Sequence, residues 1–217
     1  MDWVEFGRAI QPWATIGSAF LTTFGVFIAA RSLRITSKTN KAKFAFELSE
    51  SFLKEARIQK FWSRLNYDAD ENAWKFDLAK FRHSDDERDI DTILYKFMAI
   101  GHMIRCGAIS AVDVKSLYFT CRQLFHNSEA RDYLMFVQID TYMSDGFTGL
   151  HFGDALYCYE QMTRWAVKTR YAARSELTDC RNFIAELQRV SVQPQLRKAV
   201  ATRIGYAPRI PSGGPSG

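Results

Sequence analysis

One uncharged run near the start of the chain constrains its fold more than any other feature. Between Arg8 and Arg31 lie 22 residues without a charged side chain, AIQPWATIGSAFLTTFGVFIAA. At about 1.5 Å of rise per residue, a helix of this length spans a hydrocarbon core of about 30 Å. The sequence therefore predicts a transmembrane helix over 9–30, preceded by a short extracytoplasmic N-terminus over 1–8.

The bases around this run predict its orientation. One base, Arg8, precedes the run, and five follow it within thirteen positions, namely Arg31, Arg34, Lys38, Lys41 and Lys43. Because bases close to a span favour the cytoplasmic side, we expect a single-pass protein of the bacterial inner membrane with its C-terminal domain in the cytoplasm. The same five bases are expected to contact anionic lipid headgroups.

Two other interpretations of the run stay open. A secretory signal peptide expects a basic start and a short apolar stretch, whereas here the start is acidic and the bases follow. A buried amphipathic helix of a soluble domain would also accommodate the serine, threonine and glycine residues that dilute the run. A nucleic-acid partner is disfavoured, because residues 44–180 hold 17 bases and 21 acids and the body is therefore mildly acidic.

Small residues recur along the predicted span. They are spaced 4, 4, 3 and 4 positions apart and fall on one stripe of a helix, namely Ala14, Ser18, Thr22, Gly25 and Ala29. In lipid, close approach of two backbones along such a stripe is a main source of helix association. The stripe therefore predicts a helix–helix interface in the membrane and a homo-oligomer.

The rest of the chain predicts an all-α fold. A basic juxtamembrane stalk helix is expected over 31–65, a helical bundle over 66–205 and a disordered tail, rich in Pro, Gly and Ser, over 206–217. The predicted architecture is thus an N-terminal transmembrane helix that continues into a helical stalk and a cytoplasmic helical bundle. The four cysteines are widely spaced and form no CxxC pair, so we expect reduced thiols.

Local signals predict the helix boundaries of the bundle. Ser84, followed by three acids, is typical of an N-cap, and Gly107 occupies a typical helix-stop position. Further helices are predicted over 73–82, from Ser128 to about Met143, from a cap at Asp154 to about Arg174, over about 176–190, and after Pro194.

The longest internal loop is the best candidate for a binding site. Residues 144–153, SDGFTGLHFG, hold three glycines, and long glycine-rich loops are often functional. Asp145, His151 and Asp154 are the candidate binding residues, although a plain connection between two helices is the alternative. No phosphate-binding loop, GxGxxG, GxSxG or HExxH motif occurs, so the sequence predicts no cofactor, no metal and no catalytic residue.

The stretch TILYKFMAIGHMIRCGAISAVDVKSLYF, residues 92–119, resembles a bacterial and phage family. The family is catalogued as domain of unknown function 4760. The residues that carry the resemblance are apolar positions of a helix that ends in a base and a glycine, followed by a second helix with an aromatic end: Leu94, Phe97, Ile100, Ile104, Arg105, Gly107, Ile109, Val112, Val114, Leu117 and Tyr118. The resemblance implies a single span before a helical domain, and it implies no activity and no site residues.

These observations favour a function without catalysis. The first hypothesis is a membrane-anchored interaction or regulatory module, in phage defence or stress response, that self-associates or holds an unknown protein partner at the membrane. The second is an effector that assembles through its span and disrupts the membrane or forms a channel. The third is a soluble helical nucleic-acid-binding protein or enzyme.

Overall fold

In the computed structural model of the chain, the described residues are 32, 36, 39–41, 43, 44, 46–48, 50, 52, 54–66, 74–82 and 84–206. The predicted span 9–30 and its stripe, the bases Arg31, Arg34 and Lys38, and the tail residues 207–217 lie outside them. The chain divides into two units, Met1–Phe46 and Glu47–Gly217. The described residues of the first unit, which include Lys41 and Lys43, are helical.

The second unit is built from helices, and its described residues include no strand, which confirms the predicted all-α class. A 3₁₀ turn, Lys115–Leu117, precedes the fourth of the following helices. The helices are α1 (Ala56–Asn66), α2 (Leu78–Phe81), α3 (Asp85–Arg105), α4 (Tyr118–His126), α5 (Ser128–Asp145), α6 (Gly153–Lys168), α7 (Arg174–Val192) and α8 (Pro194–Arg203). Within the described part of the chain, none of the helices is both long and apolar enough to cross a membrane.

Three predicted boundary signals are confirmed. The Ser84 side chain accepts a hydrogen bond from the Glu87 backbone N–H at 3.2 Å, so Ser84 is the N-cap of α3. Gly107 lies just beyond the end of α3 with φ +72°, a conformation that favours glycine. Pro194 is the first residue of α8, where its missing N–H removes no helical hydrogen bond.

The helix predicted over 73–82 is wrong at its N-terminal end. Residues 74–77 are not helical, and only Leu78–Phe81 forms the short α2. Asp77 is extended and accepts a hydrogen bond from the Ala79 N–H, which begins the helix there. The Trp74 N–H donates instead to the Arg64 carbonyl at 3.0 Å, so this segment is tied to the end of α1.

The predicted start of α5 at Ser128 is also confirmed, and Asn127 is its N-cap, because the Asn127 side chain accepts a hydrogen bond from the Ala130 N–H at 2.9 Å. Three other boundaries differ from their predictions. The stalk helix is interrupted at Glu55, which is not helical. Asp154 is the second residue of α6 and not its cap, and that helix ends at Lys168, before Arg170 turns the backbone with φ +64°.

Tyr206, the first residue of the predicted tail, contacts the helical body. The Tyr206 hydroxyl donates to the Asp140 carboxylate at 3.1 Å, and its ring lies 5.8 Å from that of Phe136. These contacts place Tyr206 against α5, as part of the helical body.

The acidic start of α3 has a structural partner. From the sequence alone, these acids are expected to stabilise the helix N-terminus through its dipole. Two arginines of α1 also bind them: Arg57 pairs with Asp89, and Arg64 reaches both oxygens of Asp86, the longer distance being 2.9 Å. The acids therefore fix α1 beside α3.

α6 lies at the centre of the body. It packs most extensively against α3 and also contacts α4 and α7. The approach to α3 is close, because a Cβ atom added to Gly101 would lie 1.8 Å from the Asp154 carbonyl oxygen. The buried face of α6 comprises Ala155, Leu156, Cys158, Tyr159, Met162, Thr163 and Ala166.

Candidate functional site

The predicted binding loop is a short connection between α5 and α6. α5 ends at Asp145, Gly146 follows with φ +67°, and α6 begins at Gly153. The Gly146 N–H donates to the Tyr142 carbonyl at 2.9 Å, so the left-handed glycine closes the end of α5. Most residues of the loop are exposed, but its last part turns back onto the body.

One buried amide holds the loop in place. The Gln138 side chain, 2 % exposed, donates from Nε2 to the Gly149 carbonyl and to the Ser191 hydroxyl, both at 2.7 Å. Its Oε1 accepts a hydrogen bond from the His151 backbone N–H at 3.1 Å. Because one side chain satisfies groups on the loop and on α7, the position of His151 is set by the interior of the body.

His151 stands between two cavities. Its Nδ1 lies 3.2 Å from the Thr141 hydroxyl, and its ring packs edge-on against Phe152 at 4.7 Å between centroids. The imidazole contributes to the lining of both cavities. Among the predicted site residues, His151 is therefore the one that lines both of these cavities of the described body.

The wider cavity, of about 520 Å³, lies along α6 between α3 and α7. Its polar wall includes Asp154, which pairs with Arg105 at 2.7 Å, and Arg105 also lies 4.6 Å from the centre of the Tyr157 ring. The Glu160 carboxylate pairs with Arg164 at 2.8 Å and with Arg181 at 3.0 Å. Burial raises the pKa of Glu160, but the two arginines outweigh it and hold the pKa below its ordinary value.

The narrower cavity, of about 310 Å³, lies between α3 and α5, and His151 and Phe152 also line it. Asp91 and Tyr133 face each other across it, and the Tyr133 hydroxyl donates to Asp91 Oδ1 at 2.5 Å. Arg82, also in the lining, donates to the Asp140 carboxylate at 2.6 Å. The lining thus combines carboxylates with aromatic rings.

Burial shifts the proton equilibria of the narrower cavity. It raises the pKa of Asp91 above its ordinary value, although the hydrogen bond from Tyr133 acts in the opposite direction. Burial and the nearby Asp91 carboxylate raise the pKa of Tyr133, so the phenol keeps its proton and remains a donor. Asp91 is consequently a carboxylate whose charge is poorly solvated.

The structure separates the three predicted loop residues. His151 contributes to both cavities and Asp154 to the wider one. Asp145 is exposed at the end of α5, and in the described body it is part of neither lining. Among the predicted lipid-contacting bases, Lys41 and Lys43 are the described ones, and both are helical.

The sequence did not identify the residues that give the cavities their chemistry. Gln138 and Tyr133 lie inside helices among apolar neighbours, where helical periodicity alone predicts core positions. Asp91 lies in the acidic first part of α3, where the helix dipole is a sufficient explanation for a carboxylate. One signal was available in the sequence. A polar or charged residue at a position that the helical pattern predicts to be buried needs a hydrogen-bond partner, and such residues are uncommon on the buried face of a helix.

No metal site was predicted, and the described residues include no group of three or more His, Cys, Asp or Glu side chains placed to hold a metal ion. The four cysteines are free thiols, of which Cys106 is exposed and the other three are buried. Comparison of the chain with protein-family models, curated proteins and solved structures gives no match in any of the three. The resemblance of residues 92–119 to domain of unknown function 4760 stays a prediction.

Proposed function

We propose that this chain is a membrane-anchored helical binding module, with its N-terminus outside the cytoplasm and its helical body inside. The observation that carries the proposal is the uncharged run 9–30, which one base precedes and five bases follow. A helix of 22 residues is about 33 Å long, enough for a hydrocarbon core of about 30 Å. Because bases close to a span favour the cytoplasmic side, the chain after the run is expected to lie in the cytoplasm.

The helical body supports a binding role for the cytoplasmic part. It has its own apolar core, and its surface carries two cavities that meet at His151. The Gln138 side chain fixes the loop between them, so the surface is already arranged before any ligand or partner arrives. The resemblance to domain of unknown function 4760 supports the same arrangement of one span before a helical domain.

Self-association through the span is part of the proposal. The stripe of Ala14, Ser18, Thr22, Gly25 and Ala29 would allow two helix backbones to approach closely. A dimer or larger oligomer would then present several copies of the body at one membrane site. Such clustering suits a regulatory module that holds a partner at the membrane, in phage defence or in a stress response.

Membrane fractionation tests the proposal. The full-length chain is expected to sediment with membranes and to resist an alkaline carbonate wash, because the run 9–30 is long enough to span the bilayer. Phe24→Asp places a charge in the middle of the run, which costs about 3 kcal/mol on insertion scales, and is expected to release much of the protein. Cross-linking of the washed membranes is expected to give an oligomer ladder that Gly25→Leu with Ser18→Leu weakens.

Phe46→Asp is the matched control, because Phe46 is 64 % exposed and lies after the run. It is expected to leave the protein in the washed membranes. Recovery of the unaltered chain in the wash supernatant would overturn the membrane anchor. An identical ladder in the double variant and the unaltered chain would overturn the stripe as the interface.

A further inference from the structure

Two rows of side chains face each other across the narrower cavity. α3 contributes Glu87, Asp91 and Tyr95, which are four residues apart and therefore form one row on the helix. The opposite row, from α5, includes Tyr133, Phe136, Asp140 and Thr141. A volume of about 310 Å³ lies at the lower end of the range for small-molecule sites, about 300–1,000 Å³.

The charge of this lining is predominantly negative. Three carboxylates, those of Glu87, Asp91 and Asp140, stand against the single guanidinium of Arg82 in the lining. Arg82 pairs with Asp140 at 2.6 Å, so its charge is directed to that carboxylate. Asp91 instead receives the neutral hydroxyl of Tyr133.

Aromatic rings form the apolar part of the lining. Tyr95 and Phe152 meet edge-on with their centroids 5.8 Å apart, and Tyr133 and Phe136 lie on the opposite side. The face of an aromatic ring attracts a cation because of its quadrupole. Rings and carboxylates together therefore favour a positively charged ligand with an apolar stem.

The protein already shows this arrangement once inside the cavity. The Arg82 guanidinium donates to Asp140 and lies 5.3 Å from the centre of the Phe136 ring. A side-chain cation is thus held between a carboxylate and a ring. Asp91, Tyr95 and Phe152 provide a second carboxylate and further rings, and the described lining contains no second lysine or arginine.

We propose that the narrower cavity binds a small organic cation with N–H donors, a primary ammonium or a guanidinium group. The charged head lies at Asp91, within reach of the Thr141 hydroxyl and of His151, and the carbon stem packs on Tyr95 and Phe152. The cation would come from a free amine or from the lysine or arginine side chain of a partner protein. The inference deepens the proposed binding role and rests on it, but it does not depend on the membrane anchor.

Calorimetric titration of the full-length protein in uncharged detergent micelles tests the inference. 1,4-Diaminobutane is expected to bind, whereas 1,4-butanediol, of the same length without charge, is expected to give no binding heat. Asp91→Asn keeps the side-chain shape and removes the charge, and it is expected to weaken diamine binding about tenfold or more, since hydrogen bonds to charged groups are the strong ones. Asp132→Asn is the matched control: Asp132 is on α5 but pairs with Arg203, and diamine affinity is expected to stay unchanged.

A second variant keeps the test informative if Asp91→Asn fails to fold. Tyr95 is 56 % exposed, so Tyr95→Leu is expected to fold normally and to weaken diamine binding about two- to fivefold through the lost ring. A short peptide with one central lysine separates the sources. Tighter binding of the diamine supports a free amine, and tighter binding of the peptide supports a partner's side chain.

Three outcomes would overturn the inference: binding of the diol as strong as that of the diamine, an unchanged diamine affinity in folded Asp91→Asn, or no heat from either the diamine or the peptide. Each of these is independent of the carbonate wash. If the protein stays in the washed membranes but binds neither the diamine nor the peptide, the proposed membrane anchor stands and only the proposed organic-cation ligand is refuted.

Discussion

At the scale of single residues, Gln138 joins the loop between α5 and α6 to α7 through three hydrogen bonds. Its amide satisfies the Gly149 carbonyl, the His151 N–H and the Ser191 hydroxyl, in an environment that is almost fully buried. A buried polar group that loses its partner costs about 1–3 kcal/mol. The position of the loop therefore depends on one side chain that belongs to neither cavity.

Gln138→Leu is expected to destabilise the body by about 3 kcal/mol, because three groups lose a partner while the side-chain volume changes little. The His151 amide hydrogen is expected to exchange with solvent faster than in the unaltered protein. Denaturant unfolding and hydrogen exchange measure the two effects. Gln123→Leu, at an exposed position of α4, serves as the control, and an equal loss in both variants would contradict this role of Gln138.

At the scale of the elements, α3 and α6 meet where a glycine lets their backbones approach. A Cβ atom on Gly101 would lie 1.8 Å from the Asp154 carbonyl oxygen and 2.6 Å from its carbon. Both are backbone atoms, so the two helices would have to move apart. The contact also positions Asp154 for its ion pair with Arg105 in the wider cavity.

Gly101→Ala is expected to lower the free energy of unfolding by about 1–3 kcal/mol through overpacking, although alanine has the higher helix propensity. Thermal unfolding in detergent measures the change. Gly153→Ala is the matched control, because a Cβ there would meet the Leu150 Cβ at an ordinary 3.5 Å. A melting temperature of Gly101→Ala equal to that of the control would contradict the close approach.

The sequence predicts elements well where the signal is local. Ser84 and Gly107 were identified because a cap and a left-handed stop each depend on one residue. The start of α5 at Ser128 was also predicted correctly, but its N-cap, Asn127, was not identified. The Asn127 Nδ2 also donates to the Leu65 carbonyl, 62 positions away, and no local pattern indicates such a contact.

The candidate site was predictable only in part, for the same reason. His151 could be identified because a glycine-rich loop draws attention to it. Asp91 and Tyr133, 42 positions apart, become a pair only when α3 and α5 pack, and no local pattern announces a contact of that separation. Gln138 likewise acts on groups that lie 11 and 53 positions away.

At the scale of the whole molecule, ion pairs join the helices around the core. Arg131 binds Asp179 across α5 and α7, and Arg122 binds Glu176 across α4 and α7. The Arg131 hydrogen bond holds the pKa of Asp179 below its ordinary value. A carboxyl whose folded-state pKa is depressed stabilises the fold above its unfolded pKa, and this contribution is lost as the pH falls through the folded pKa.

The stability of the body is therefore expected to fall in acid, and a double-mutant cycle between Asp179→Asn and Arg131→Gln isolates the contribution of this pair. At pH 7 the coupling free energy is expected to be about 1 kcal/mol, because Asp179 is partly exposed and water screens the pair. It is expected to fall as the pH is lowered through the folded-state pKa of Asp179, since the carboxyl becomes protonated. Urea unfolding of the four proteins at pH 7 and in a series of acidic buffers measures the coupling, and a coupling that does not fall in acid would contradict the assignment.

The pairing of α3 with α6 also sets a delay during synthesis. α3 ends at Arg105 and its main partner ends at Lys168, so the ribosome must add 63 residues between them. At about 5–20 residues per second, the nascent chain carries the apolar face of α3 without that partner for about 3–13 seconds. A polypeptide released early, between these two helices, would keep that face uncovered and would be the form of this protein most prone to aggregate.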